Sequence, residues 1–83
     1  MTVYELTARY DARQSFYSKA KVIESTEGLS LLSYDTIVAE IKNGKAEVYG
    51  TYSQTTLRHI KEFLKQNGFK AENKAQIEKD YLI

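Results

Sequence analysis

The tetrapeptide Lys42-Asn43-Gly44-Lys45 limits most strongly what this chain can fold into. Asparagine and glycine readily take the two positive-φ positions of a type I′ turn, whose twist matches that of the strands it joins. Closure at Asn43-Gly44 pairs Ile41 with Ala46 and Ala39 with Val48. The segment therefore predicts an antiparallel hairpin.

Alternation of side chains with a period of two predicts the other strands. They are expected at residues 3–10, 15–25 and 29–42, and the hairpin adds a fourth strand after Gly44. Glu27-Gly28 is the predicted turn between the second and third strands, because glycine takes positive φ at little steric cost. Ser33 and Asp35 interrupt the apolar face of the third strand, which is compatible with a β-bulge at this place.

Two helices are predicted after the sheet. Ser53 or Thr55 caps the first, which spans residues 55–67 and ends at Gly68. Asn73 and Gln76 have the spacing of a capping box, so a short tail helix is expected over residues 74–81. The first helix has its apolar side chains at helical spacing, at Leu57, Ile60, Phe63 and Leu64.

These elements predict a single α+β domain over residues 1–83. A four-stranded antiparallel meander occupies residues 1–52, with the main helix packed on one face and the short helix at the C-terminus. The helix-covered face is expected to carry Phe16, Ala20, Val22, Leu29, Leu31, Ile37, Ala39, Ile41 and Val48. The other face is expected to carry Tyr17, Lys19, Lys21, Ile23, Leu32, Tyr34, Val38 and Tyr49.

Composition excludes several classes of protein. The 83 residues include no cysteine, so disulfides and thiolate metal sites are ruled out. No signal peptide and no membrane-spanning apolar run are visible, which predicts a cytoplasmic protein that does not bind membranes. Twelve basic and eleven acidic residues give a net charge of +1, unlike the strongly basic balance of a dedicated nucleic-acid binder.

The uncovered sheet face is the first candidate binding surface. Tyrosine rings on a sheet beside lysines are what single-stranded nucleic-acid platforms use, because rings stack on bases while lysines follow phosphates. Tyrosine also favours strands for ordinary packing reasons, so burial under another segment or in a dimer is the alternative. The candidate residues are Tyr17, Lys19, Lys21, Tyr34 and Tyr49.

The main helix carries the second candidate surface. Arg58, Lys61 and Lys65 lie at i, i+3 and i+7, which is one solvent-facing stripe. The stripe would contact phosphates or an acidic partner. Alternatively it is a solvated face, in which Arg58 pairs with Glu62 at i, i+4 and Lys65 favours the helix dipole.

His59, beside Arg58, is the only histidine and a further candidate binding residue. It lies four residues before Phe63, at the rim of the apolar stripe, where packing or capping is the usual role. We therefore predict no catalytic residue and no enzyme. A second histidine or cysteine that would complete a metal site is missing, as is a glycine-rich phosphate loop, so no metal or cofactor is expected.

Several segments resemble a family of small uncharacterised proteins from phages, plasmids and conjugative elements of Firmicutes. The resemblance spans residues 15–69, with glycine commoner in that family where Ser18 stands and asparagine where Asp35 stands. It implies a bacterial cytoplasm and a mobile-element origin, and it implies no activity. The segments are Ser15-Phe16-Tyr17-Ser18-Lys19-Ala20, residues 33–39, Asn43-Gly44-Lys45, Tyr52-Ser53, Thr55-Thr56 and residues 58–64.

The sequence favours a non-enzymatic binding module. The first expectation is a protein-interaction module that binds a host protein, an element-encoded partner or a second copy of itself, with edge strands available for pairing. The alternative is a module for single-stranded DNA or RNA, which uses the tyrosine and lysine sheet face or the basic helix stripe. The nearly neutral net charge places the nucleic-acid alternative second.

Overall fold

The computed structural model describes residues 2–11, 16, 18–50 and 53–83. It contains an antiparallel sheet and two helices, which confirms the predicted α+β class. The elements are β1 (Thr2–Glu5), β2 (Ala20–Ser25), β3 (Gly28–Ser33), β4 (Thr36–Lys42), β5 (Lys45–Val48), α1 (Gln54–Gln66) and α2 (Lys74–Tyr81).

Within the described residues the sheet has five strands in the order β1-β2-β3-β4-β5, so the prediction of four strands is wrong. The predicted third strand is divided into β3 and β4 by a turn at Tyr34 and Asp35. Tyr34 has φ of 57°, in the left-handed region that a bulky residue seldom adopts. Ser33 and Asp35 are residue types that favour turns, but the left-handed position holds a tyrosine rather than a glycine or asparagine, and the turn was therefore read only as an interruption of one strand.

A β-bulge lies in β4, close to the interruption visible in the sequence. Leu31 pairs with Ala39 and Leu32 pairs with Ile37, so Val38 is the additional residue. Val38 is 1% exposed and belongs to the core, whereas strict alternation predicts it on the opposite face. A bulge reorients the side chains that follow it, which explains why this face assignment is wrong.

The turn between β2 and β3 consists of Thr26 and Glu27, one residue earlier than predicted. Gly28 is therefore a strand residue that pairs with Ser25. It has φ of 147° and lies so close to the carbonyl oxygen of Ile41 that a Cβ atom at this position would collide with it. The close approach of two strands, rather than the turn, requires this glycine.

The hairpin at Asn43-Gly44 has the predicted form. The two residues have φ of 54° and 74°, as a type I′ turn requires. Ile41 pairs with Ala46 and Ala39 pairs with Val48 across the two strands.

Both helices begin at side-chain caps. Ser53 accepts a hydrogen bond from the Thr56 N–H at the start of α1, and Asn73 accepts one from the Gln76 N–H at the start of α2. Gly68, with φ of 82°, follows α1. Neither of these two helices has the length and apolar character needed to cross a membrane.

The core joins the sheet and both helices in one cluster of buried side chains. α1 contacts β3, and α2 contacts β5. The C-terminal residues then run beside β5, where Leu82 forms a parallel bridge with Val48 and the Ile83 N–H donates to the Val48 carbonyl at 3.1 Å. The largest fully buried side chains include Leu6, Leu31, Ile60, Phe63, Leu64 and Ile77.

Candidate binding site

Glu62, on α1, holds the segment that follows β1. Its Oε1 accepts hydrogen bonds from the backbone N–H groups of Tyr10 at 2.8 Å and Asp11 at 3.1 Å. Its Oε2 accepts one from Gln66 Nε2 at 2.6 Å, and the same nitrogen donates to the Thr7 carbonyl at 2.6 Å. Glu62 is 1% exposed, so its carboxylate has lost its contact with water. These donors supply the hydrogen bonds that water would otherwise make.

This arrangement creates a groove between α1 and residues 10–11. The cavity has a volume of about 260 Å³, and we call it the α1 groove. Arg58 and Lys65 are exposed and Lys61 is half-buried, so all three cationic heads can reach solvent. The groove is lined by Tyr10, Asp11, Arg58, Lys61, Glu62 and Lys65.

The ion pair between Arg58 and Glu62, which was expected if the stripe is a solvated face, does not form, and the solvated-face alternative itself stays a prediction. The Glu62 carboxylate faces inward to the backbone of residues 10 and 11. Among the described residues the ion pairs within 4.0 Å are Lys42–Glu40 and Lys70–Glu72, and neither involves the stripe. The three cations of the α1 groove are therefore not neutralised by a described carboxylate at that distance.

His59 is 0% exposed and lies in a small buried polar cluster. Its Nδ1 is 2.8 Å from Ser33 Oγ, and Ser33 Oγ is 3.1 Å from Thr56 Oγ1. Ser33 is the last residue of β3, so the cluster ties that strand to the first turns of α1. The location of His59 agrees with a packing role and places its imidazole away from the solvent surface of the groove.

Two aromatic rings lie against the imidazole of His59. The Phe16 ring meets it edge-on with centroids 4.8 Å apart, and the Tyr34 ring is tilted against it at 5.9 Å. The buried Nε2 has no hydrogen-bond partner in the part of the chain that the structure describes. Burial lowers the pKa of His59 below its usual value of 6.5, and the charge of Asp11 opposes part of that effect.

We expect the free energy of unfolding to fall as the pH is lowered below about 6.5. The pKa of His59 is lower in the folded than in the unfolded chain, so the unfolded chain binds more protons in this range. The contribution of neutral His59 to stability is fully present above its pKa in the unfolded chain. It is lost as the pH falls towards its pKa in the folded chain. Urea unfolding between pH 7.5 and 5.5 measures this, and the dependence should flatten in His59→Gln. An equal slope in His59→Gln would contradict it.

The sheet-face candidates do not all come together. Lys19 and Lys21 are exposed, and Tyr49 is 37% exposed. Tyr34 lies in the β3–β4 turn rather than in a strand, with its ring near His59. Tyr17 lies outside the described residues.

Tyr49 is hydrogen-bonded to a neighbouring carboxylate. Its hydroxyl donates a hydrogen bond to Glu40, which raises the pKa of Tyr49 to about 12. The same bond, with further contributions from Ser30 and Lys42, lowers the pKa of Glu40. Glu47 pairs directly with Glu40 across β4 and β5. Two carboxylates therefore lie beside Tyr49, which directly follows β5.

The three basic candidates on α1 do come together, with partners that the sequence did not indicate, whereas His59 lies apart from them. Arg58, Lys61 and Lys65 share the α1 groove as their spacing predicts. Tyr10 was expected at the end of the first strand, and the sequence offered no signal that it or Asp11 would face α1. Glu62 carried a signal, because a carboxylate at i+3 from a buried helix position lies close to the apolar face.

No cluster of three or more histidine, aspartate or glutamate side chains suited to a metal occurs in the described ranges. Residues 4–79 match a protein family described as a family of unknown function, DUF8033. No curated protein and no solved structure matches the chain.

Proposed function

The chain belongs to the DUF8033 family, whose function is unknown, and from its site we propose that it is a non-enzymatic protein-interaction module. The α1 groove takes an acidic segment of the partner. The observation that carries this proposal is the inward orientation of Glu62, after which no described carboxylate lies within 4.0 Å of the charged groups of Arg58, Lys61 and Lys65.

The charges of the groove fit a carboxylate-bearing segment. Three cations face two carboxylates, and one of those, Glu62, has its oxygens occupied by backbone and amide donors. The net character that an incoming ligand meets is therefore positive. Tyr10 is 60% exposed at the rim and supplies a ring and a hydroxyl, a residue type that interfaces favour.

The length of the stripe fits a short peptide segment. From Arg58 to Lys65 the helix rises about 10 Å, at 1.5 Å per residue. This matches two or three acidic side chains spaced along an extended or helical segment. A nucleic-acid track normally requires more phosphate contacts for useful affinity at physiological salt.

Other observations favour a protein partner over single-stranded nucleic acid. Glu40 and Glu47 lie beside Tyr49, so the sheet face repels phosphates where a base would stack. The net charge of +1 provides little long-range attraction to a polyanion. The resemblance to small proteins of phages, plasmids and conjugative elements supports a partner in a bacterial host. The proposal takes α1 as the helix that covers one sheet face and presents the groove to solvent.

The test is fluorescence polarisation with a labelled glutamate-rich peptide, single-stranded DNA and RNA, each at low and physiological salt. We expect the peptide to bind. The triple variant Arg58→Glu, Lys61→Glu, Lys65→Glu should weaken that binding at least about tenfold, or 1.4 kcal/mol, because the attraction becomes repulsion.

The matched control is the triple variant Lys19→Glu, Lys21→Glu, Lys45→Glu. It changes the net charge by the same amount at three exposed positions, two of them in the sheet and one, Lys19, directly before β2. Equal loss of binding in both variants would mean that net charge alone, not the α1 groove, attracts the peptide. Tighter binding of DNA or RNA than of the peptide, lost only in the sheet variant, would establish the nucleic-acid alternative instead.

A further inference from the structure

The two edges of the sheet differ in how they are protected. The C-terminal residues lie along the outer edge of β5, where they form the Val48–Leu82 bridge and the Ile83 hydrogen bond. On the other side β1 ends the sheet, and no described residue pairs with its outer edge. Exposed edge strands with free backbone groups are templates for pairing with another chain.

β1 has only two of the features that usually block such pairing, its length of four residues and the charge of Glu5. All four of its residues are exposed, and they include Val3 at 56% and Tyr4 at 44%. The strand contains no lysine, no proline and no bulge, which are the common protective devices. Its one charged residue, Glu5, lies opposite Lys21 across the sheet, and its Oε2 accepts a hydrogen bond from the Ser18 N–H at 3.1 Å.

The register of β1 shows which backbone groups face outward. The Leu6 N–H donates to the Ala20 carbonyl at 2.9 Å, so this pair is a hydrogen-bonded pair of the antiparallel ladder. Hydrogen-bonded pairs alternate along such a ladder, so Tyr4 bonds to β2 as Leu6 does. The N–H and C=O groups of Val3 and Glu5 therefore point away from β2.

We propose that β1 pairs antiparallel with β1 of a second copy of this chain, with Tyr4 on the two-fold axis. In this register Val3 of one copy lies opposite Glu5 of the other, and their outward N–H and C=O groups bond to each other. Each outward backbone group of β1 finds a partner. The two Tyr4 side chains face each other in a non-hydrogen-bonded pair, where cross-strand side chains are closest.

Two other two-fold registers centre on an outward-facing residue of β1. One places Glu5 opposite Glu5, which puts two like charges directly across from each other. The other places Val3 opposite Val3. It leaves the outward groups of Glu5 without a partner in the other β1 strand. Tyr4 then lies opposite Thr2 rather than against a second aromatic ring. In the Tyr4-centred register all outward N–H and C=O groups of β1 bond to the other β1 strand. The two sheets then form one continuous sheet with an isologous interface.

A four-residue strand buries less area than a standard interface, so the dimer is weak and depends on concentration. Sedimentation velocity from low micromolar to near-millimolar protein measures it. We expect a monomer–dimer equilibrium that Val3→Pro weakens at least about tenfold, because proline removes an outward N–H without removing a bond to β2. Tyr4→Glu should weaken it similarly through repulsion at the axis.

Val3→Ala is the matched control, since it shortens the same side chain and keeps the backbone N–H. It should dimerise nearly as well as the unaltered chain, and circular dichroism should show all three variants folded. A monomer at every concentration would overturn the proposal, as would unweakened dimerisation of Val3→Pro and Tyr4→Glu. Because the α1 groove lies elsewhere, Val3→Pro should bind the glutamate-rich peptide as before, which separates this proposal from the proposed function.

Discussion

Replacement of Glu62 by alanine is expected to lower the free energy of unfolding by about 3 kcal/mol. The substitution leaves the N–H groups of Tyr10 and Asp11 and the amide of Gln66 without their acceptor. It also empties a site that is almost completely buried. Urea unfolding monitored by circular dichroism measures the change.

Two control variants separate the causes. Glu62→Gln keeps the size and one acceptor oxygen, so it should lie between the unaltered chain and Glu62→Ala. Glu27→Ala removes an exposed carboxylate and should change stability by less than about 0.5 kcal/mol. If Glu62→Ala were as mild as Glu27→Ala, Glu62 would not hold residues 10–11 against α1, and the α1 groove would have no fixed wall.

Gly28→Ala is expected to destabilise the fold even more, by about 4 kcal/mol, from steric overlap and backbone strain together. A Cβ atom at this position collides with the Ile41 carbonyl oxygen, which is backbone and cannot rotate away. The φ of 147° adds strain for any residue with a side chain. The midpoint of urea unfolding should fall sharply, or the variant should not fold.

Gly44→Ala provides the matched comparison. Gly44 also has positive φ, at 74°, but apart from its chain neighbours no atom of the described residues lies within 4 Å of the position that a Cβ would take. Only the conformational cost remains, about 1 kcal/mol. Equal losses in the two variants would mean that φ alone, and not the contact with Ile41, sets the requirement for glycine at position 28.

The sequence was informative where one residue type determines local geometry. Asn43-Gly44 set the hairpin and its register, because few residue types accept two positive φ angles. Ser53 and Asn73 marked the starts of the helices, because their side chains cap free N–H groups. The alternation of β2 placed Ala20 and Val22 in the core.

The sequence was uninformative where tertiary contacts override local preference. Tyr34 adopts a left-handed φ, which is unusual for a tyrosine, with its ring against His59, and a bulge turns Val38 inward. Ser18 also has a left-handed φ, of 64°, at the position where the resembling proteins more often have glycine. Each of these conformations is held by the surrounding fold and cannot be derived from periodicity.

For the same reason, the sequence predicted the basic residues of the candidate site but not the partner of Glu62. Helical spacing alone brought Arg58, Lys61 and Lys65 together. It also predicted an ion pair between Arg58 and Glu62, because isolated helices form such pairs. The backbone of residues 10–11 is more than 50 positions away along the chain, and its contact with Glu62 replaces that pair. A long-range contact of this kind leaves no local signal.

The most direct test of the central claim, that the α1 groove binds an acidic segment, is a nuclear magnetic resonance titration. The ¹⁵N-labelled protein is titrated with the glutamate-rich peptide at physiological salt, and amide shifts are mapped onto the structure. We predict that the largest shifts occur at Tyr10, Arg58, Lys61 and Lys65. Shifts confined to Lys19, Lys21 and Tyr49 on the sheet, or no saturable shifts at all, would contradict the account.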